Sequence, residues 1–124
     1  MSLYRFGQIV LVWMKDRDGK IKERPAIIIS CDAECESDDV LYFIAVSTSI
    51  VRPLPDYHFV IHDSHCHDKR TGLTRPSVAK CNWPREIHRD RILRSMGYVP
   101  DDLMEVIITR FDALQADLDF DDWQ

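Results

Sequence analysis

The sequence predicts a mainly β protein with a C-terminal helix, a small barrel on which the helix packs. Three observations predict it. Five or six short apolar runs rich in β-branched and aromatic residues are separated by Gly, Pro and Asp punctuation. Beyond Gly97 the apolar spacing changes from strand-like to helical. A chain of 124 residues also has room for one domain with one core and little else.

The elements follow in order. Phe6 to Met14 (FGQIVLVWM) is a β-rich run whose start is marked by Gly7. Asp16-Arg17-Asp18-Gly19-Lys20 is a turn, built from short polar residues and a glycine free to take positive φ. Arg24-Pro25 leads into Ala26–Ser30, a second strand too apolar to have a wet face, and residues 31–39 read as an acidic loop. Val40 to Val46 is the third strand and ends at Ser47-Thr48-Ser49. Arg52-Pro53-Leu54-Pro55 is non-regular, because each proline fixes φ and lacks a donor. Tyr57 to Ile61 gives a fourth strand, and His62 to Gly72 is polar and irregular. Ser77 to Cys81 is a short strand, with one or two turns expected around Arg85 to His88.

Pro100-Asp101-Asp102 then opens a helix with acids in its first turn, where the helix dipole favours them. Leu103, Val106, Ile107, Phe111, Leu114 and Leu118 form its predicted apolar stripe, ending near residue 118. Residues 119–124 read as an acidic tail. The chain is thus expected to be one domain over 1–124, with the barrel over about 4–90 and the helix over about 100–118.

The 45% apolar content argues against disorder, and no run approaches the roughly eighteen apolar residues of a membrane span. The first residues carry no secretory signal pattern, so a cytoplasmic protein with four free thiols is expected. Net charge is −5, but it is unevenly spread. Residues 101–124 hold eight carboxylates against Arg110 alone, whereas Arg52 to Arg94 holds nine basic side chains against five acidic ones. A weakly acidic chain can therefore still present a basic face suited to a phosphate backbone. The acidic helix would repel such a ligand, which places a groove on the opposite side.

Four pieces of the sequence, in order, resemble the MazF/PemK family of toxins. FGQIVLVWMKDRDGKIKERPAIIIS resembles the family's glycine-led first strand, variable loop and Lys/Arg-x-Arg-Pro step into an apolar strand. Ala45-Val46-Ser47-Thr48-Ser49 is similar to the family's third strand, which ends in Thr or Ser-Thr. Gly72-Leu73-Thr74-Arg75-Pro76-Ser77-Val78-Ala79-Lys80-Cys81 and Asn82-Trp83-Pro84-Arg85-Glu86-Ile87 resemble the region ending in Pro-Arg-Thr-Ile. Arg91-Ile92 through Met96-Gly97-Tyr98-Val99 is similar to the approach to the last helix. The likeness covers roughly residues 4 to 118. It implies an SH3-like barrel with a C-terminal helix, a homodimer, and cleavage of single-stranded RNA without a metal or cofactor. It also implies an antitoxin polypeptide as partner, and no role for DNA or a membrane.

Metal-free RNA cleavage needs a base for the 2′-OH, charge to stabilise the phosphorane, and a proton for the 5′-oxygen. By resemblance Arg24 matches the catalytic arginine, and its guanidinium fork suits a phosphate. Thr48 matches the active-site threonine, with Ser47 and Ser49 beside it. Lys80 falls where some members place a basic residue used as general acid or phosphate contact. Two residues on, those members carry an aspartate proposed as base, whereas this chain has Asn82, which cannot take a proton. His88 and His58 suit general-base work by pKa, although the sequence places neither beside Arg24. Arg52, Arg75 and Arg85 are expected to contact phosphate, and Trp83 to stack on an unpaired base or to serve as a core or interface aromatic.

His58, His62, His65, Cys66 and His67 cluster within ten residues, but their spacing fits no metal-ligand motif, so no metal site is expected. The alternative function is a non-catalytic binder on the same barrel, either a degenerate toxin or a gyrase poison resembling CcdB. The chain ends Asp121-Asp122-Trp123-Gln124, unlike the Trp-Gly-Ile ending typical of that poison.

Overall fold

The computed structural model describes residues 3–15, 18–61, 71–73 and 76–122, with Trp83 and residues 115–122 described by backbone alone. Among the described residues are six strands and two α-helices: β1 (Gln8–Lys15), β2 (Ile21–Ile28), α1 (Asp32–Ser37), β3 (Val40–Ser47), β4 (His58–Ile61), β5 (Ser77–His88), β6 (Ile92–Tyr98) and α2 (Asp101–Asp122). The strands form one antiparallel sheet in the order β4-β5-β3-β2-β1-β6. The sheet does not close, so β4 and β6 are its edges.

Both faces of this sheet are covered, which explains why its strands read as nearly unbroken apolar runs. Alternate side chains of a strand point to opposite faces. Ile9, Ile27, Ile44, Val46 and Ala79 therefore face one core, where Met104 and Ile107 of α2 pack on them. Val10, Val12, Ala26, Ile28, Leu41, Phe43 and Ala45 face a second core, which also takes Met14, Ile87 and Ile92. A short 3-10 turn, Arg89–Arg91, carries the chain from β5 into β6, whose Ile92 pairs with Val12. The sheet thus curls around its second core although its edges stay apart.

Three local expectations change. Residues 31–39 are not all loop: α1 forms where Asp32 and Glu34 occupy a first turn, and Glu34 Oε1 accepts the Cys31 N–H at 2.9 Å. The strand expected to stop at Cys81 continues to His88, and the turns expected at Arg85 to His88 are strand. Register explains this. Ala45 pairs with Lys80 but Ile44 pairs with Pro84, so Cys81, Asn82 and Trp83 are looped out as a bulge. Pro84, which has no N–H for a ladder, sits at that interruption.

The chain between Ile92 and Tyr98 is also strand, which makes six among the described residues, within the five or six expected. α2 begins where predicted, with the Pro100 carbonyl accepting the Leu103 and Met104 N–H groups at 3.0 Å. It runs on to Asp122, so the expected tail is largely helical. Its buried stripe uses Met104 and Ile108 beside Leu103, Ile107, Phe111 and Leu114, whereas the predicted Val106 is 41% exposed.

Candidate functional site

Strand register brings the candidate residues together. Arg24 is half-buried on β2, opposite Val12. The β2–β3 ladder pairs Ile28 with Phe43, Ile27 with Ile44 and Ala26 with Ala45. The same register carried two residues further sets Arg24 level with Ser47, the last residue of β3. Across the next ladder Ala45 pairs with Lys80, and Lys80 pairs with His58 on β4. Ser47 and Lys80 are therefore diagonal neighbours, about 7–8 Å apart by strand geometry. By alternation Arg24, Ser47, Lys80 and Arg85, which pairs with Phe43, all belong to the face of the second core. The Nε atoms of Arg24 and Arg85 are buried, so each side chain is enclosed well along its stem.

The acidic helix lies on the opposite face. Its Met104 and Ile107 pack on the first core, so the sheet itself separates α2 from these basic groups. That is the separation of charge expected from the sequence.

Ser47 is 9% exposed, and its Oγ accepts the Ser49 N–H at 3.1 Å. This bond uses a lone pair and leaves the hydroxyl proton free to donate. Thr48 lies one residue beyond the strand, in an exposed bend, and Ser49 is exposed beside it. Lys80 is half-buried. Asn82 is exposed on the bulge of β5, and Trp83 follows it there. Arg52 is exposed in the connection between β3 and β4. Arg75 lies outside the described residues, as do His62, His65, Cys66 and His67.

His58 is the neighbour that sequence reasoning did not place. It is 6% exposed, and its Nδ1 is buried with no hydrogen-bond partner among the described residues. Burial lowers its pKa below the usual histidine value, and the Lys80 charge lowers it further. His88, by contrast, is at the far end of β5, where its Nδ1 accepts the Asp90 N–H at 3.1 Å. No spacing in the sequence signals the His58–Lys80 pair; only the β4–β5 register does. Among the described residues no group of three or more His, Cys, Asp or Glu is placed to hold a metal ion. Cys31, Cys35 and Cys81 are free thiols, the last two buried, and burial raises both to a pKa of about 11.

The architecture is that of a small, mainly β protein with a C-terminal helix and a basic face turned away from that helix. The chain belongs to the family of PemK-like, MazF-like toxins of type II toxin–antitoxin systems, whose pattern matches residues 5–114. No curated protein sequence matches it significantly. Among experimental structures it is similar to Mycobacterium tuberculosis toxin MazF-mt6, at 19% identity over 84% of this chain and 91% of that one, with a TM-score of 0.66. MazF from Deinococcus radiodurans gives 15% identity over 94% and 99% of the two chains, with a TM-score of 0.72. An endoribonuclease in complex with its cognate antitoxin, from a mycobacterial species, gives 15% identity over 91% and 95%, with a TM-score of 0.69. Among the described residues no helix is long and apolar enough to cross a membrane.

Proposed function

We propose that the chain is a toxin endoribonuclease that cuts single-stranded RNA by 2′-OH attack on the adjacent phosphate, without a metal. The observation that carries this reading is the shared sheet face of Arg24, Ser47 and Lys80. A dianionic phosphorane needs positive charge and directed donors around it. Arg24 supplies a planar fork, Lys80 a point charge and proton source, and Ser47 a hydroxyl that still has its proton. Thr48 and Ser49 extend the hydroxyl-bearing rim at the end of β3. Arg52, Arg75 and Arg85 contact the RNA backbone, while Asn82 and Trp83 meet bases from the bulge of β5. The products are a 2′,3′-cyclic phosphate and a 5′-hydroxyl.

In this reading the protein works in the cytoplasm as a single-domain subunit of a homodimer, and an antitoxin polypeptide neutralises it. The cognate complex among its structural neighbours supports that partner. Asn82 favours a second reading, a non-catalytic binder of RNA or antitoxin on the same fold, because an amide cannot accept the 2′-OH proton.

Cleavage of a long single-stranded RNA in excess EDTA, with Arg24→Ala alongside, decides between them. Cutting by the wild type alone, leaving 2′,3′-cyclic phosphate or 3′-phosphate ends, is the expected result. No cutting by a folded wild-type dimer would establish the binding-only reading.

A further inference from the structure

A basic concavity lies beside the Arg24, Ser47 and Lys80 group and shares Arg85 with its face. It measures about 380 Å³ and is formed where the end of β1 meets the end of β5 and the turn after it. Trp13, Met14 and Lys15 line it from β1, Arg85 and Glu86 from β5, and Arg91 from the turn. Three cations thus face one carboxylate, and Glu86 is directly opposite Tyr42 in the β3–β5 ladder. Trp13 is 40% exposed, an aromatic side chain in a cleft also lined by Lys15, Arg85 and Arg91. A volume of this order matches small-ligand sites. An aromatic face beside phosphate-matching cations is the combination that holds an unpaired nucleotide. The cleft adjoins the proposed cleavage face through Arg85, which lines it and belongs to the same sheet face as Arg24.

We propose that this cleft is a nucleotide subsite, with one unpaired base of the RNA stacked on Trp13 and its phosphate held by Lys15 and Arg91. The subsite rests on the RNA-cleaving reading and deepens it. It anchors the strand a short distance from the scissile bond, and it adds a contact that depends on stacking rather than on base identity.

The test is equilibrium binding of a labelled single-stranded oligoribonucleotide, with 2′-O-methyl groups to block cleavage, measured over a series of salt concentrations. Trp13→Ala should weaken binding about tenfold and Trp13→Phe far less, since a phenyl ring still stacks. The Lys15→Ala/Arg91→Ala double variant should reduce the slope of log K against log salt by about 0.7, the loss of one neutralised phosphate of a single strand. Both side chains are exposed, so this variant remains informative if Trp13→Ala fails to fold. Wild-type binding with unchanged affinity and slope in folded variants would overturn the subsite and leave the cleavage reading standing. A wild-type protein that binds no single-stranded RNA would overturn both.

Discussion

Arg110 of α2 donates from Nη1 to the backbone carbonyl of His58 at 2.8 Å, and its guanidinium lies 5.6 Å from the ring centroid of Phe59. β4 is an edge strand whose ladder partner among the described strands is β5, so this contact ties it to the helix as well. A hydrogen bond from a charged donor contributes about 1.5–3 kcal/mol, and the ring contact adds a little. Arg110→Ala should therefore lower unfolding stability by about 2 kcal/mol, with Arg110→Lys intermediate because it lacks the planar fork. Urea denaturation measures this directly. An unchanged midpoint in Arg110→Ala would mean that β4 is held by its ladder alone.

His58 makes stability depend on pH. In the folded protein its pKa lies below the ordinary value, first because burial disfavours the imidazolium and then because Lys80 is opposite. In the unfolded chain it titrates near 6.5. The unfolded state therefore binds the extra proton first. Stability is fully retained above about pH 6.5 and falls as pH drops from there to the folded pKa. His58→Gln should flatten this part of the acid limb. Unfolding curves collected between pH 8 and pH 5 test it, and an equally steep limb in the variant would assign the slope to other groups.

Much of the fold is legible in the sequence because both faces of the sheet are buried. Residues 9–12, 26–28 and 41–46 are apolar almost throughout, and each is strand. What stays hidden depends on pairing. The strand reads from Ser77 only to Cys81, yet Pro84 marks a bulge after which β5 resumes against Phe43 and Leu41. α1 reads as loop because six residues give too little periodicity, although Asp32 and Glu34 mark its first turn. Val106 fits the helical stripe by spacing, but Met104 and Ile108 are on the side that meets the sheet. At the site, Arg24, Ser47 and Lys80 are visible as residue types, while their shared face and the His58 neighbour require three ladders to be known.

Gly72 shows a constraint that no motif explains. Its φ is +69°, and a Cβ built there would lie 2.1 Å from the Met96 carbonyl oxygen. Both the left-handed backbone and the obstructing backbone atom resist any side chain. Gly72→Ala should destabilise the fold by more than about 1 kcal/mol, visible as a lower thermal midpoint. By contrast Gly19→Ala, whose Cβ would meet among the described residues only the end of the Lys15 side chain at 3.9 Å, meets chiefly backbone strain and should cost less. Equal losses at the two positions would show that positive φ, not the approach to Met96, sets the cost.

The hydroxyl at the end of β3 separates two assignments that the sequence leaves one residue apart. Resemblance matches Thr48 to the active-site threonine, but the β2–β3 ladder, which ends at Ala26 and Ala45, would if extended by two residues set Ser47, not Thr48, level with Arg24. The Ser47 hydroxyl also retains its proton while accepting the Ser49 N–H. Loss of one preorganised donor to a developing oxyanion costs about 100-fold in kcat. Ser47→Ala should show a loss of that order with KM little changed, whereas Thr48→Ala should stay within about threefold of the wild type. Ser47→Thr keeps the hydroxyl and should restore most of the rate. Single-turnover cleavage of one oligoribonucleotide by the three variants is the measurement. A large loss confined to Thr48→Ala would move the phosphate one residue along the chain, out of the bonded sheet and into the exposed bend.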